Sequence, residues 1–253
     1  MDALGERVIQ AGDGTPEWLW TRSETVAALP VRSWANWIGA ASRVFVVAPH
    51  PDDEILAAGG LMAQLAAVGW PLRVVAVTDG GASHPGSRLW PPARLLEQRP
   101  RESRAALRWL GVGQECLRLG LPDGAVHRHR DALVRRLLTL LAPGDLAITT
   151  WRLDGHPDHE ATGAAVAEAA ARRGARLLEA PVWAWHWASP TDARWPWGRA
   201  RRVVLDAAVC ARKLRALQAH ASQLQGDPST GRGAVLRASI VERAARPFEV
   251  FFE

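Results

Sequence analysis

The sequence predicts an α/β fold: a Rossmann-like, three-layer α/β/α domain with a mainly parallel sheet. Two observations support this prediction. First, apolar segments such as Val44–Ala48 and Leu72–Thr78 lack the polar alternation of a half-exposed strand, which is typical of strands buried on both faces. Second, alanine-rich or amphipathic segments of helix length occur between such strands, for example residues 52–68 and 157–173. Strands that alternate with helices favour a parallel sheet covered on both faces.

The remaining segments continue this alternation. Residues 177–187 are predicted as a strand whose period of two places three indoles on one face and His186 on the other. Pro100 predicts a kink or a restart in the helix over 94–110, because proline cannot donate the backbone hydrogen bond of a helix interior. One or two antiparallel strands are expected near the end of the chain. The other predicted strands are 116–119, 145–150, 202–205 and 248–252, and the other predicted helices are 131–141 and 207–219.

The chain is long enough for one large domain. Its 253 residues could form a full α/β core, and no Ser/Gly-rich linker or block of charge divides them. Residues 1–42 carry several tryptophans among Gly, Pro and polar residues. We therefore expect an N-terminal arm, 1–42, that packs its tryptophans on a single domain, 43–253.

The charge pattern argues against nucleic-acid binding. The chain has a formal net charge of +5, but its 31 basic residues, of which Lys213 is the only lysine, are scattered among 26 acidic ones. A nucleic-acid surface requires basic residues that cluster on one face. We expect small-molecule partners and no nucleic acid, and the composition leaves a homo-oligomer open.

The sequence predicts a cytoplasmic protein. Cys116 and Cys210 lie far apart in predicted strand and helix contexts, so a disulfide framework is not expected. A reducing compartment is expected instead. The first thirty residues contain several acids and no apolar run of signal-peptide length. No segment approaches the roughly 18 uninterrupted apolar residues of a membrane span.

Ionisable side chains concentrate after two of the predicted strands. The segment His-Pro-Asp-Asp-Glu, 50–54, follows Val44–Ala48, and His-Pro-Asp-His, 156–159, follows the strand over 145–150. Each proline suits the first position of a helix, where its missing N–H costs nothing. Because ligands bind at the carboxyl ends of parallel strands, both segments are expected at the functional edge of the sheet.

These side chains have the composition of a hydrolytic metal site. His50, Asp53 and His159 can supply two imidazoles and one carboxylate to a divalent metal that keeps an open position. Asp52 and His156 then remain beside it for proton transfer and charge stabilisation, as metal-assisted hydrolysis requires. The same donors also suit ferrous iron.

The motifs resemble the LmbE-like or PIG-L family of zinc-dependent deacetylases, which remove acetyl groups from N-acetylglucosamine-type substrates. The likeness covers roughly residues 43–253. It is based on 50–54 and 156–159, together with Thr-Asp-Gly at 78–80, the helix with Arg99 and Glu102, Leu-Pro-Asp-Gly at 121–124, and Ser222-Gln223.

This resemblance implies a role for individual residues. The implied zinc ligands are His50, Asp53 and His159. The implied catalytic residues are Asp52 as general base, His156 to stabilise the oxyanion or protonate the leaving amine, and Asp158 as the carboxylate that orients or charges His156. The implied contacts to sugar hydroxyls are Asp123 and Arg99.

The sequence departs from the family pattern in two places. Many members have an acidic residue where Gly81 stands. Some members use a tyrosine near the carbonyl oxygen, and this chain contains no tyrosine. His186 is the candidate for that place, since an imidazole can donate the same hydrogen bond.

The residues and the resemblance together predict a hydrolase that removes an N-acetyl group from an amino-sugar conjugate by means of metal-activated water. An amidase for a thiol conjugate or another N-acyl metabolite is an alternative that uses the same site. A nucleotide-binding Rossmann module is an alternative of another class, but it requires a glycine-rich phosphate loop where Pro49, His50 and Pro51 stand.

Overall fold

One mixed sheet organises the computed structural model, which describes residues 7, 9, 12–39 and 41–253. Over these residues the sheet has seven strands in the order β3-β2-β1-β4-β5-β7-β6. Strands β1 to β5 are parallel, and β7 runs antiparallel to both β5 and β6. The strands are β1 (Val44–Ala48), β2 (Leu72–Thr78), β3 (Leu117–Leu121), β4 (Leu146–Thr150), β5 (Arg176–Ala180), β6 (Ala200–Val204) and β7 (Phe248–Phe252).

Helices cover both faces of this sheet, so the predicted α/β class and its mainly parallel sheet are confirmed. In β1 the side chains of Val44 and Val46 join one apolar core, and those of Phe45 and Val47 join the other. All of β1 is buried, which is the physical reason for its uninterrupted apolar sequence.

The first core contains residues of α4, α5, α9 and α11, and the second contains residues of α6 and α7. Among the residues described, none of the helices combines the length and apolarity that a membrane crossing requires. The helices are α1 (Glu17–Thr21), α2 (Glu24–Ala27), α3 (Trp34–Ile38), α4 (Asp53–Ala67), α5 (Pro92–Trp109), α6 (Arg130–Leu140), α7 (Pro157–Arg173), α8 (Ala184–Trp187), α9 (Ala207–Gln218), α10 (Ala221–Leu224) and α11 (Ala238–Ala244); short 3₁₀ turns span Val126–His129 and Trp197–Arg199.

Helix α1 of the N-terminal segment contacts the rest of the molecule through one tryptophan and one glutamate. The Trp20 ring packs edge-on against Trp185 at 4.8 Å between centroids, and Glu17 accepts two hydrogen bonds of 2.6 Å from Arg246. Part of the predicted arm, residues 1–6, 8, 10, 11 and 40, lies outside the described residues. The division into arm and domain therefore stays a prediction.

The strand predicted over residues 177–187 is wrong in its second half. Strand β5 ends at Ala180, and Ala184–Trp187 forms a helical turn. The cause is Asp154, whose carboxylate accepts the backbone N–H groups of residues 182, 183 and 184 at 2.9 Å. These three bonds fold the backbone away from the sheet, so the alternation of indoles does not correspond to strand faces.

The helix does not restart at Pro100. Pro100 lies inside the single helix α5, whereas α4 is kinked at Ala58, where φ is −145°. A buried ion pair satisfies the interrupted backbone of α4. Glu249 accepts the N–H groups of Gly60 and Leu61 at 2.6 and 2.9 Å, and it also pairs with Lys213 at 2.8 Å. The bend is therefore held by contacts with β7 and α9, and it lies next to the glycine pair Gly59-Gly60.

Candidate metal centre

The loops after β1 and β4 place four of the predicted site residues next to each other. His50 follows β1, and Asp53 begins α4. His156 caps the N-terminus of α7, and His159 lies in the first turn of that helix. Pro157 occupies the first helical position as predicted, whereas Pro51 precedes the Asp52 cap of α4 and lies outside the helix.

The three predicted metal ligands lie within contact distance of a common point. Oδ2 of Asp53 lies 3.0 Å from Nδ1 of His50 and 3.1 Å from Nε2 of His159. Ring nitrogens of His50, His156 and His159 all lie within 4.8 Å of one another. Two imidazoles and a carboxylate thus converge from distant parts of the chain, and the third imidazole lies beside them.

The hydrogen bonding of His159 fits a metal ligand. Its Nδ1 lies 2.8 Å from Oδ2 of Asp154, so this nitrogen carries the proton and donates it to that carboxylate. The other ring nitrogen, Nε2, is buried and makes no hydrogen bond of acceptable geometry, although Asp53 is near. A fixed tautomer with an unused nitrogen lone pair is the usual arrangement of a metal-bound histidine.

The electrostatics of the cluster favour a cation. Burial lowers the pKa of His159, but Asp53 and Asp154 outweigh it and raise this pKa to about 9. Burial also opposes protonation of His50, yet Asp123, Asp158 and Asp53 raise the pKa of His50 well above its usual value. The buried carboxylates therefore stabilise positive charge at this point, which a divalent metal can supply in place of protons.

Asp52 has an unusual backbone conformation. Among the described residues it is the one non-glycine with a positive φ, at 125°. Its N–H donates to Oε2 of Glu54 at 2.9 Å, and Ser103 donates to Oε1 of Glu54 at 2.6 Å. Strained conformations persist where surrounding contacts over-determine them, and they cluster at functional sites. Glu54 thus holds the first loop in the shape that displays Asp52.

Arg99 supports Asp52 from the protein interior. Its Nη2 donates to Oδ2 of Asp52 at 3.1 Å and to the Pro51 carbonyl at 2.7 Å, and its Nη1 donates to the Gly80 carbonyl at 2.9 Å. A Cβ at Gly80 would lie 2.1 Å from Nη1, so only glycine admits this approach. The terminal nitrogens are thus committed to protein acceptors. Arg99 holds the Asp52 carboxylate and also lines the cavity, so its predicted contact to sugar hydroxyls stays a prediction.

The environment of Asp52 suits a general base. Burial raises its pKa, Arg99 lowers it, and the neighbouring Asp53 and Glu54 raise it again, which leaves the pKa at about 7. A base is most effective when its pKa lies near the working pH.

The His156 ring is held as a neutral donor. Its Nδ1 accepts the backbone N–H of Asp158 at 3.2 Å, so the ring proton resides on Nε2. Burial and the neighbouring His159 and His50 lower the pKa of His156 to about 3. The Nε2–H can therefore donate a hydrogen bond to developing negative charge.

Asp158 has different partners from those predicted. Its carboxylate accepts the N–H groups of Gly124 and Val126 at 2.7 and 3.1 Å, and Oδ2 lies 3.2 Å from Nε2 of His50. This carboxylate makes its hydrogen bonds to other groups than the His156 ring, but its charge opposes the lowering of the pKa of His156, so its predicted influence on that ring stays a prediction. Asp158 joins the turn after β3 to His50, and it touches His156 only through its backbone N–H.

Sequence reasoning missed Asp154. This fully buried residue orients His159 and holds the backbone after β5. Its position five residues before His159, in the same loop, is a pattern that could have indicated an orienting carboxylate. Nothing in the local sequence indicates the bonds to residues 182–184.

The cluster opens into a cavity of about 360 Å³. Asp123 lies in its wall, with Oδ1 3.1 Å from Nε2 of His50 and Oδ2 accepting the Ala82 N–H at 2.7 Å. His186 lines a neighbouring cavity and not this one, so its predicted place near the reacting carbonyl stays a prediction. At Gly81 a Cβ would lie 2.9 Å from the end of the exposed Leu96 side chain, which would have to shift to admit one.

The matching family model is described as PIG-L: GlcNAc-PI de-N-acetylase, and it covers residues 45–170. No curated protein matches the chain significantly.

Several solved structures share the fold. The A40926 pseudoaglycone deacetylase Dbv21 is 27% identical over 83% of this chain and 96% of its own, with a TM-score of 0.63. The N,N'-diacetylchitobiose deacetylase from Pyrococcus horikoshii is 21% identical over 76% of this chain and 74% of its own, with a TM-score of 0.55. The 4-carboxy-2-hydroxymuconate hydratase GalB from Pseudomonas putida KT2440 is 17% identical over 81% of this chain and 83% of its own, with a TM-score of 0.52.

The hydratase shows that this fold does not by itself determine the reaction, so family membership depends on the motif-bearing segment. That segment contains both histidine loops and the matched residues 45–170. The chain therefore belongs to the PIG-L, or LmbE-like, family, as its motifs predict.

Proposed function

We propose that this protein is a metal-dependent hydrolase that removes the N-acetyl group from an N-acetylglucosamine-type sugar or amino-sugar conjugate. The observation that carries the proposal is the convergence of His50, Asp53 and His159, with the Asp52 carboxylate next to them in one cavity. Membership of a family described as de-N-acetylases supports the same reaction.

His50, Asp53 and His159 are the residues that would hold the metal, and zinc suits their donor set and hydrolytic chemistry. Ferrous iron fits the same donors. When bound, such a cation supplies water of lowered pKa and polarises the acyl carbonyl.

Asp52 is the base in this proposal. Its carboxylate takes a proton from the attacking water while the water oxygen bonds to the acyl carbon. The same proton passes to the amide nitrogen as the C–N bond breaks, so the products are acetate and a free amine. Arg99 keeps the carboxylate in place through its 3.1 Å hydrogen bond.

His156 stabilises the negative charge that develops on the carbonyl oxygen. Because its Nδ1 accepts the Asp158 N–H, its Nε2–H is free to donate towards the cavity. Preorganised donors of this kind contribute most when they point to the place where charge develops.

Asp123 is the proposed contact to sugar hydroxyls. Burial raises the pKa of Asp123, but its bond to His50 outweighs this and brings the pKa to about 2, so the carboxylate is ionised and can accept hydroxyl protons. It lies in the cavity wall beside Ala82 and Ser83.

The test is acetate release from N-acetylglucosamine and its glycosides by protein reconstituted with zinc or, anaerobically, with ferrous iron. We expect amine and acetate in equal amounts, and loss of both when a chelator removes the metal. Turnover that survives complete metal removal, or an Asp52→Asn variant as active as the wild type, would contradict the proposal. Asp131→Asn, at an exposed carboxylate, is the matched control.

A further inference from the structure

The cavity has two sides of different chemistry, which lie on opposite sides of the metal cluster. The cluster stands at the ends of β1 and β4, in the middle of the sheet order. Towards β2 and β3 the walls carry polar or backbone groups. This polar side consists of Ala82, Ser83, Asp123 and Gly124.

Towards β5 and β7 the walls carry apolar side chains together with four charged ones, Lys213, Arg243, Arg246 and Glu249. Because β7 runs antiparallel to β5, its first residues lie at the same edge of the sheet as the end of β5. Helices α4 and α11 close this part of the cavity. The apolar side includes Leu56, Val182, Leu236, Ile240, Ala244 and Val250.

The residues of the apolar side belong to the hydrophobic core and also line the cavity. Leu236, Ile240, Ala244 and Val250 belong to buried elements, yet they keep exposures of 4%, 8%, 5% and 5%. A cavity of about 360 Å³ with a mostly apolar wall and a few polar groups is typical of a site for a ligand much larger than acetate.

The charged residues at this end already have partners. Lys213 pairs with Glu249 at 2.8 Å, and Glu249 also accepts the N–H groups at the α4 kink. Arg246 forms two 2.6 Å bonds with Glu17, and Arg243 donates to the Thr15 carbonyl at 2.9 Å. The apolar side therefore favours a hydrocarbon group and not an ionic one.

We propose that the apolar side binds the acyl group of the substrate, and that the enzyme prefers N-acyl amino sugars whose acyl chain is longer than acetyl. This inference rests on the proposed function. The amide must lie at the metal cluster, and on the polar side the sugar hydroxyls find the Asp123 carboxylate as an acceptor. The acyl chain then extends towards β5 and β7. The bonds that form and break are unchanged, and the released acid is a longer carboxylic acid in place of acetate.

The test compares N-acetyl-, N-butanoyl- and N-octanoylglucosamine with the metal-loaded enzyme. Each methylene that becomes buried is expected to increase kcat/KM about fourfold, so the octanoyl compound should exceed the acetyl compound by more than tenfold. Octyl N-acetylglucosaminide carries the same chain on the other side of the sugar. If kcat/KM rises above the N-acetylglucosamine value for that compound and not for the N-octanoyl compound, the apolar side binds the aglycone and the proposal is wrong.

A cavity-filling variant tests whether the preference for a long acyl chain arises from the apolar side of the cavity. Ala244→Phe inserts a ring into the apolar side and should lower the ratio of octanoyl to acetyl kcat/KM at least tenfold. Ala245→Phe makes the same change at the adjacent exposed residue and should leave that ratio unchanged. If Ala244→Phe does not fold, Ile240→Ala enlarges the same wall and should move the preference to chains longer than octanoyl. An unchanged ratio in a folded Ala244→Phe protein overturns the proposal.

A binding measurement distinguishes failure of the proposed function from failure of the acyl site. If no amide is cleaved, calorimetric binding to the metal-loaded protein still separates the two ideas. Binding of N-octanoylglucosamine at least tenfold tighter than N-acetylglucosamine supports the acyl site even though the reaction assignment fails. Equal binding of the two compounds overturns the acyl site as well.

Discussion

The two histidine loops share the letters His-Pro-Asp, yet they fold differently. In the second loop, Pro157 starts α7 directly and His156 caps it. In the first, Pro51 lies outside α4 and Asp52 has a φ of 125°. The local sequence is nearly the same, so the difference comes from the partners: Glu54 and Arg99 hold the first loop.

This difference gives the corresponding aspartates different tasks. The Asp52 side chain lines the cavity next to the metal cluster, where it can exchange a proton. The Asp158 carboxylate points to the turn after β3 and bonds to Gly124 and Val126. A sequence motif thus identifies where a site is. Contacts from distant segments decide which carboxylate takes part in the reaction and which one holds a neighbouring turn in place.

The largest expected effect distinguishes these aspartates. Asp52→Ala should keep the metal and lose turnover by about 10²- to 10⁴-fold, the range of a missing general base. Elemental analysis and acylamide hydrolysis on the same preparation measure both quantities. Loss of metal together with activity in this variant would instead make Asp52 a ligand.

The next largest expected effect is a loss of metal affinity when a metal ligand or its hydrogen-bond partner is replaced. His159→Ala should lose the metal, and Asp154→Asn should weaken metal binding by about 10- to 100-fold because it removes the acceptor that orients His159. Competition with a chelating dye measures both affinities. Glu160→Gln, one residue from His159 in the same helical turn, is the control, and wild-type affinity in Asp154→Asn would contradict the orienting role.

Asp158→Asn should lower the stability and, through the contact of this carboxylate with His50, the metal affinity, more than it affects proton transfer. It removes a charged acceptor from two backbone N–H groups, so the free energy of unfolding should fall by about 1–3 kcal/mol. Denaturant unfolding measures this, and kcat should fall less than in Asp52→Ala. A loss of turnover as large as that of Asp52→Ala, with unchanged stability, would assign Asp158 to the chemistry.

The smallest expected effect is a shift of the pH profile. Asp52 must be ionised to accept a proton, so its raised pKa of about 7 predicts that kcat/KM falls as the pH drops below neutrality. Since Arg99 lowers this pKa, Arg99→Met should raise it and move the acid limb to higher pH. Arg101→Met, on the same helix but exposed, should leave the limb in place. A limb that moves to lower pH in Arg99→Met is inconsistent with this role.

Local sequence was sufficient for elements whose cause is local. Strand β1 was predictable because both its faces are buried, and the start of α7 because Pro157 suits its first turn. The helical turn at Ala184–Trp187 was not, because its cause is a carboxylate that lies 28 to 30 residues earlier in the chain.

Some features of the candidate site were likewise predictable from the sequence and others were not. The convergence of His50, Asp53 and His159 was predictable, since parallel strands bring their carboxyl ends to one edge. The places of Arg99 and His186 were not, because they depend on how α5 packs behind the first loop and on the fold of the segment after β5.

By itself, the sequence determined the α/β class, the main strands of the sheet and the pair of loops that carry the ionisable groups, because hydrophobic periodicity and short motifs act over a few residues. Only the tertiary structure decided the conformation of Asp52, the partners of Asp158 and Asp154, and the apolar side of the cavity. Each of these depends on contacts between segments far apart in the chain, and such contacts form only when the layers pack.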